Sequence, residues 1–259
     1  MYRIKFLIIL IFRVWFIDCQ ARIVPEDAAP YQVSVQTIIS GEFTHICGGA
    51  IISAEFVLTA AECTQGKEAE DLRILVGTNN LSSGGTTYDI DLIIEHYAYN
   101  PATLNHDLSL LRVSEDIQFN ESVNQILLAE EGQEGIRCIL SGWGNTDGNN
   151  GISSDTLQFI IVDILTLRQC QQELRDVAEV TEEEICAEAT TDESLGSCVG
   201  DIGAPLLRFL DGKLVGIKSG TIGCNQTNPY LFASIAAEIN YSWIDIETFA
   251  NRRNITDYE

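Results

Sequence analysis

Acyl transfer by a protein side chain needs a hydroxyl or thiol nucleophile, an imidazole to take its proton, and a carboxylate to orient that imidazole. The chain holds three histidines, His45, His96 and His106, and three of its carboxylates stand in short clusters rich in glycine, alanine and cysteine. Glu62 lies in Leu58-Thr59-Ala60-Ala61-Glu62-Cys63, Asp107 in Asn105-His106-Asp107-Leu108-Ser109, and Asp201 in Cys198-Val199-Gly200-Asp201-Ile202-Gly203. Ile202, next to Asp201, has no heteroatom with which to attack a carbonyl. His106 precedes Asp107 directly, and neighbours on extended backbone point to opposite faces, so His106 points away from whatever Asp107 faces. No cysteine spacing has the form of a zinc site, and no metal is expected.

The elements that must position these residues are mostly strands. Apolar and β-branched runs at 31–37, 50–58, 72–76, 88–94 and 108–113, then at 137–140, 157–164, 205–209, 214–217 and 231–235, are separated by turn-rich stretches such as 144–151. That spacing is typical of sandwiches and barrels, and the chain reads as all-β. Two helical stretches stand apart: 167–178, and a C-terminal one after Asn240 in which Trp243, Ile244, Ile246 and Phe249 are expected to share one face.

With 46% hydrophobic and 20% charged residues the composition is that of a folded domain. Lys+Arg number 15 against 38 Asp+Glu, a net charge of −23, so nucleic acid is excluded as a partner, because binding phosphate backbones requires basic side chains. Basic proteins remain electrostatically favoured. Arg3 and Lys5 precede an apolar run, Phe6-Leu7-Ile8-Ile9-Leu10-Ile11-Phe12, that is too short for a membrane anchor and has the form of a secretory signal. Residues 1–22 are therefore expected to be a signal peptide plus a very short pro-segment. Beyond Cys19 the cysteines are Cys47, Cys63, Cys138, Cys170, Cys186, Cys198 and Cys224, too many for a reducing compartment and odd in number. Sequons begin at Asn80, Asn120, Asn225, Asn240 and Asn254 and are read as glycosylation sites on exposed loops. All three features point to a secreted, extracellular protein.

Ordered landmarks run through the rest of the chain: Arg22-Ile23-Val24, Pro30-Tyr31-Gln32-Val33-Ser34, Cys47-Gly48-Gly49-Ala50, the Glu62 and Asp107 clusters, Ser141-Gly142-Trp143-Gly144, and 198–206. In this order they resemble the chymotrypsin-like (trypsin-family) serine proteases over nearly the whole length after residue 22. The resemblance implies two six-stranded antiparallel β-barrels with a C-terminal helix. The first barrel would cover about 23–128, the second about 129–259, and the active cleft would lie between them. It also implies the disulfides Cys47–Cys63, Cys170–Cys186 and Cys198–Cys224. Cys138 is left over, since the position that holds its partner in relatives is Arg208; a buried thiol and an intermolecular bridge are both open.

Residue by residue, the resemblance makes Asp107 the orienting aspartate but puts Glu62 where the family has its histidine and Ile202 where it has its serine. Gly200 falls at an oxyanion-hole position. The specificity pocket is altered too: its floor is Gly196, the rim is Ser219-Gly220-Thr221, and Tyr230 replaces a lining glycine, where a phenol would fill the slot. Cleavage after Arg22 would free an Ile23 ammonium to pair with Asp201, although Pro25 replaces a flexible glycine and the stretch to Gln32 is short. Calcium at the family's acidic loop is not expected, because 77–88 contains no carboxylate. Two carboxylates at Glu62 and Asp107 would repel, so one should hold a proton, swing away or bind a cation. The departures are similar to those of insect-type serine protease homologues. That likeness implies a catalytically inactive protein without a cofactor that binds an extracellular protein, a protease, zymogen or basic partner, as cofactor, decoy or regulator of a protease cascade, innate immunity included. The alternative is residual hydrolysis by Glu62 and Asp107.

Overall fold

In the computed structural model residues 22–131, 134–144, 154–189, 201–220 and 228–253 are described. Alternating and continuous apolar runs close into two barrels. The first is ordered β2 (Gln32–Ile39), β3 (Glu42–Ile51), β4 (Phe56–Thr59), β7 (Ser109–Val113), β6 (Thr86–Glu95) and β5 (Leu72–Val76), and β5 pairs back onto β2. All pairings are antiparallel, and closure leaves no open edge. Val33, Val35, Ile74, Leu58, Leu110 and Leu111 fill its interior, fully buried.

The second barrel runs β8 (Arg137–Gly142), β9 (Gln158–Ile164), β10 (Glu184–Ala189), β13 (Tyr230–Ser234), β12 (Leu214–Ser219) and β11 (Pro205–Arg208), closing where β11 meets β8. A two-residue strand, β1 (Arg22–Ile23), adds to the side of β9 through Arg22↔Phe159 and Ile23↔Gln158. Arg22 and Ile23 thus sit on the second barrel, and Val24 is buried with Trp143 and Leu157.

Helix α1 (Leu167–Glu173) starts at a capping box in which Thr166 Oγ1 accepts from Gln169 N and Gln169 Oε1 accepts from Thr166 N. It is shorter than the expected 167–178. Helix α2 (Glu238–Ala250) packs Trp243 and Ile244 into the first barrel's core, whereas Ile246 and Phe249 are exposed. At 100° per residue, Asn240, Trp243 and Ile244 share one face and the other two fall opposite, so the four-residue apolar face is not formed. The run 50–58 is likewise not one strand: Ser53 Oγ accepts from Glu55 N and Phe56 N, turning the chain between β3 and β4.

Disulfides tie Cys47 on β3 to Cys63, and Cys170 on α1 to Cys186 on β10. The expected Cys198–Cys224 bridge lies outside the described residues. Cys138 is free and fully buried, burial pushes its thiol up to about 12, and Arg208 is its partner across the β8–β11 ladder. A thiol so enclosed is not accessible to another chain.

Candidate active site

The two barrels meet where β3, the turn after β4 and the end of β12 converge. Gly48 is required here: a Cβ would lie 2.8 Å from Ala204 Cα. The contact is sealed by Gly48 N donating to Ile202 O at 2.8 Å. Gly203 has φ +80°, and a side chain on it would collide with Thr59 Oγ1 and Gly48 O. The backbone around Ile202 is therefore fixed by both barrels at once.

Cys63 anchors a short 3-10 turn, Ala61–Cys63, to β3, and the turn presents Glu62. Asp107, just before β7, is completely buried. Its Oδ1 accepts from Glu62 N at 2.8 Å and its Oδ2 from Ser219 Oγ at 2.5 Å. Burial raises its carboxyl to about 6, the two hydrogen bonds oppose that rise, and the nearby Glu62 charge adds to it. Glu62 itself is exposed, so the expected conflict between the two carboxylates is met by one facing solvent while its backbone amide serves the other. Tyr99 feels the same charges: burial, then Asp107, Glu62 and Glu95, push its phenol well above the usual range.

Ile202 packs its alkyl side chain, half-buried, against the first barrel's core. Next to it Asp201 Oδ2 accepts from Trp143 N at 2.9 Å. Its other oxygen lies 3.1 Å from His45 Nε2, close enough for attraction but off the line of a hydrogen bond; His45 Nδ1 is 2.9 Å from Ser34 Oγ. In the uncleaved chain Ile23 is exposed on β1, and His45 and Trp143 occupy Asp201 instead. His106 does point away from Asp107: its Nδ1 donates to Asn240 Oδ1 at 2.9 Å and its ring stacks on His96 at 4.8 Å. The three histidines are thus all engaged away from Ile202.

Ser219 and Gly220, expected at the rim of a specificity pocket, lie at the end of β12, with Gly220 at φ +56° and the Leu104 side chain lying over it. Tyr230 is buried, and burial raises its phenol to about 12. Gly196, Gly200 and Thr221 lie outside the described residues. One feature that patterning did not flag is Lys218, 1% exposed, whose Nζ donates to Gly220 O at 3.3 Å and sits 6.0 Å from the Tyr230 ring. A lysine directly after the apolar run 214–217 was the only signal for it. Among the described residues no three His, Cys, Asp or Glu side chains are gathered as metal ligands.

A carboxylate that orients residue 62 and Ser219, at a seam between two closed barrels, is the frame of a known site. The trypsin family model matches residues 20–244. The chain belongs to the trypsin family. It is 41% identical to a trypsin of Simulium vittatum over 77% of this chain and 80% of that one. Trypsin epsilon of Drosophila erecta is 32% identical, covering 85% and 82%. Among solved structures, neuropsin, a serine protease expressed in the limbic system of mouse brain, superposes with a TM-score of 0.74 at 27% identity, covering 88% of this chain and 98% of its own. The two barrels and C-terminal helix are the trypsin fold.

Of the sequons, Asn120 is exposed and Asn80 half-buried, while Asn225 and Asn254 lie outside the described residues. Asn240 is corrected: it is fully buried, its Nδ2 donating to Ser234 O at 2.8 Å, so the folded protein has no room for a glycan there. No helix among the described residues is long and apolar enough to cross a membrane.

Proposed function

We propose that this trypsin-family protein is secreted and acts by binding another extracellular protein, a protease, zymogen or basic partner, without cutting peptide bonds. The observation that carries this reading is the pair of side chains at the reacting positions: Ile202 offers only an alkyl group, packed against the core, and Glu62 offers a carboxylate to solvent where an imidazole would be needed. The machinery that would orient a base is intact around Asp107, and it orients nothing that can activate a nucleophile. A fold whose frame is kept while its reacting groups are lost retains a shaped surface, and a net charge of −23 makes that surface attractive to basic partners. The insect relatives are named trypsins; the role we assign to this chain, cofactor or decoy in an extracellular protease cascade, immune cascades included, follows instead from the loss of both reacting groups on a kept frame.

Residual hydrolysis by Glu62 and Asp107 is the competing reading. It is weakened by Asp107 being sealed from solvent and committed to Glu62 N and Ser219 Oγ. The test uses purified full-length protein, intact and after cleavage at Arg22. We expect no labelling by a fluorophosphonate, no turnover of peptide substrates from pH 4 to 9, and saturable binding to a family zymogen or protease that weakens with salt. Turnover that disappears in Glu62→Gln would overturn the proposal.

A further inference from the structure

Helix α2 is turned so that part of its apolar side-chain set faces outward. Asn240 sits on its inner face, fully buried, its Nδ2 donating to Ser234 O at 2.8 Å and its Oδ1 lying 2.9 Å from His106 Nδ1. Trp243 and Ile244 hold the same face in the first barrel's core. With the rotation set by these contacts, Glu238, Ser242, Asp245, Ile246 and Phe249 face solvent at 100° per residue. Ile246 is 62% and Phe249 64% exposed. A surface helix carries polar residues on its outer side, so an isoleucine and a phenylalanine one turn apart form an uncovered apolar patch.

Two depressions border this outer face. Between α2 and the turn joining β3 to β4 lies a groove of about 340 Å³, floored by Phe56, Leu128 and Ile244, with Tyr241 and Asp245 on the helix side. At the N-terminal end of α2 a wider hollow is lined by Glu182, Glu183, Glu238 and Ser242. The carboxylates of Glu238 and Asp245 make no hydrogen bond or ion pair among the described residues. The nearby cations Arg112 and Arg253 are committed to Asp91 and Asp116, and Arg252 lies over the Phe249 ring. The apolar patch is thus set in an acidic surround that the described residues do not neutralise.

That combination selects the occupant. Glu238 and Asp245 are two turns apart on α2, about 10 Å along the axis, the spacing at which a helix laid beside α2 presents its own side chains. A second copy fits poorly, because each carries a net charge of −23, and an antiparallel pair that matched Glu238 with Arg252 would set Asp245 against Asp245. We infer that the outer face of α2 is the docking surface for a basic amphipathic helix of the partner protein. Its apolar side chains cover Ile246 and Phe249. One lysine or arginine meets Asp245 at the groove, and another meets Glu238, Glu182 and Glu183 in the hollow. The inference rests on the reading of the protein as a binder and names where the contact lies and what chemistry it takes.

The test is fluorescence anisotropy on the full-length protein with three labelled helical peptides of about 14 residues, long enough to span α2. One is a lysine/leucine amphipathic helix, one has glutamate in place of lysine, and one has serine in place of leucine. The lysine/leucine peptide should bind at least about tenfold more tightly than either of the others. That preference should vanish in Ile246→Ser/Phe249→Ser and fall several-fold at low salt in Asp245→Lys. Leu210→Ser, which removes another exposed apolar side chain, should leave it unchanged. All the altered residues are exposed, and thermal melts check that each variant is folded. Equal binding of the three peptides to wild type, a preference that survives Ile246→Ser/Phe249→Ser, or one that Leu210→Ser removes equally, overturns the surface. So does a wild-type dimer in sedimentation that Phe249→Ser dissociates, since the occupant is then a second copy. A family zymogen or protease that binds Ile246→Ser/Phe249→Ser as tightly as wild type overturns the surface while leaving the binding function standing. The expected peptide preference without binding to any such zymogen or protease keeps the surface and removes that class of partner.

Discussion

Asp107→Asn gives the sharpest test of how the site is held. In the native protein burial raises this carboxyl from the ordinary aspartate value of 3.8 to about 6, and Asp107 is wholly inside the protein. A raised acid pKa means that the folded state holds its proton where the unfolded chain has lost it. Stability from this group is therefore full below pH ~4, falls as pH rises toward 6, and stays low above it. A tenfold change in a protonation equilibrium corresponds to about 1.4 kcal/mol, so the charged carboxylate costs the fold roughly 3 kcal/mol at neutral pH. Asparagine keeps the geometry: its Oδ1 can accept from Glu62 N, and its amide can donate to Ser219 Oγ once that hydroxyl turns. Urea denaturation of both proteins from pH 4 to 8 should show little difference at the acid end. The variant should then gain, becoming more stable by up to about 3 kcal/mol at pH 7 and above. Other titrating groups, His96 among them, cancel in the difference. A stability difference that does not change with pH would refute the account of Asp107 as a buried carboxyl under strain from its own charge.

His96, 2% exposed, stacked on His106 and edge-on to Trp243, is held down at about 4, by burial first and the neighbouring His106 charge second. Its stabilising contribution is present above pH 6.5 and lost as pH falls toward 4, so His96→Phe should remove up to about 3 kcal/mol of acid destabilisation in a pH series of melts. Gly203→Ala places a methyl group against Thr59 Oγ1 and Gly48 O at a positive φ; it should cost more than about 3 kcal/mol, read as loss of soluble folded product or of the denaturation midpoint. Asn240→Gln should leave the mass of attached glycan, released by a glycosidase, unchanged but lower stability by about 1–3 kcal/mol, because the Ser234 and His106 contacts are broken inside the core. Native Cys138 should resist iodoacetamide at pH 8 and react only after unfolding, as peptide mapping would show.

The barrels were legible because most of their strands repeat an apolar period that no helix could use: 72–76 is β5 to the residue, and 88–94 lies inside β6. Strand β10 was missed. Glu184-Ile185-Cys186-Ala187-Glu188-Ala189 is short, acidic and poor in β-branched residues, and it is a strand only because β9 and β13 pair with it on both sides. Nearly all of β3 was missed too, since the run at 50–58 reaches only its last two residues: the hairpin tip at its start is exposed, and Cys47-Gly48-Gly49 is buried but carries no apolar β-branched pattern. At the site, the partners of Asp107 were legible only as far as the landmarks around residues 62 and 219 allowed. Neither His45 nor Lys218 could be tied to Asp201 from spacing, because 156 and 17 residues separate them along the chain and only the closure of both barrels brings them near. Lys218 looked like an ordinary strand lysine; that it is inside depends on Phe232 and Tyr230 covering it from the next strand.

The pairing of Arg22 and Ile23 with β9 has a consequence for processing. The peptide linkage between these two residues is already engaged in a ladder, and the next residue, Val24, is plugged into a pocket formed with Trp143 and Leu157. An endopeptidase must first peel this segment free to thread it through its own cleft. Nicking at that bond should therefore follow the frequency of local opening at the edge of the second barrel. A substitution that loosens this segment would speed cutting by an added endopeptidase even with Arg22 and Ile23 unaltered.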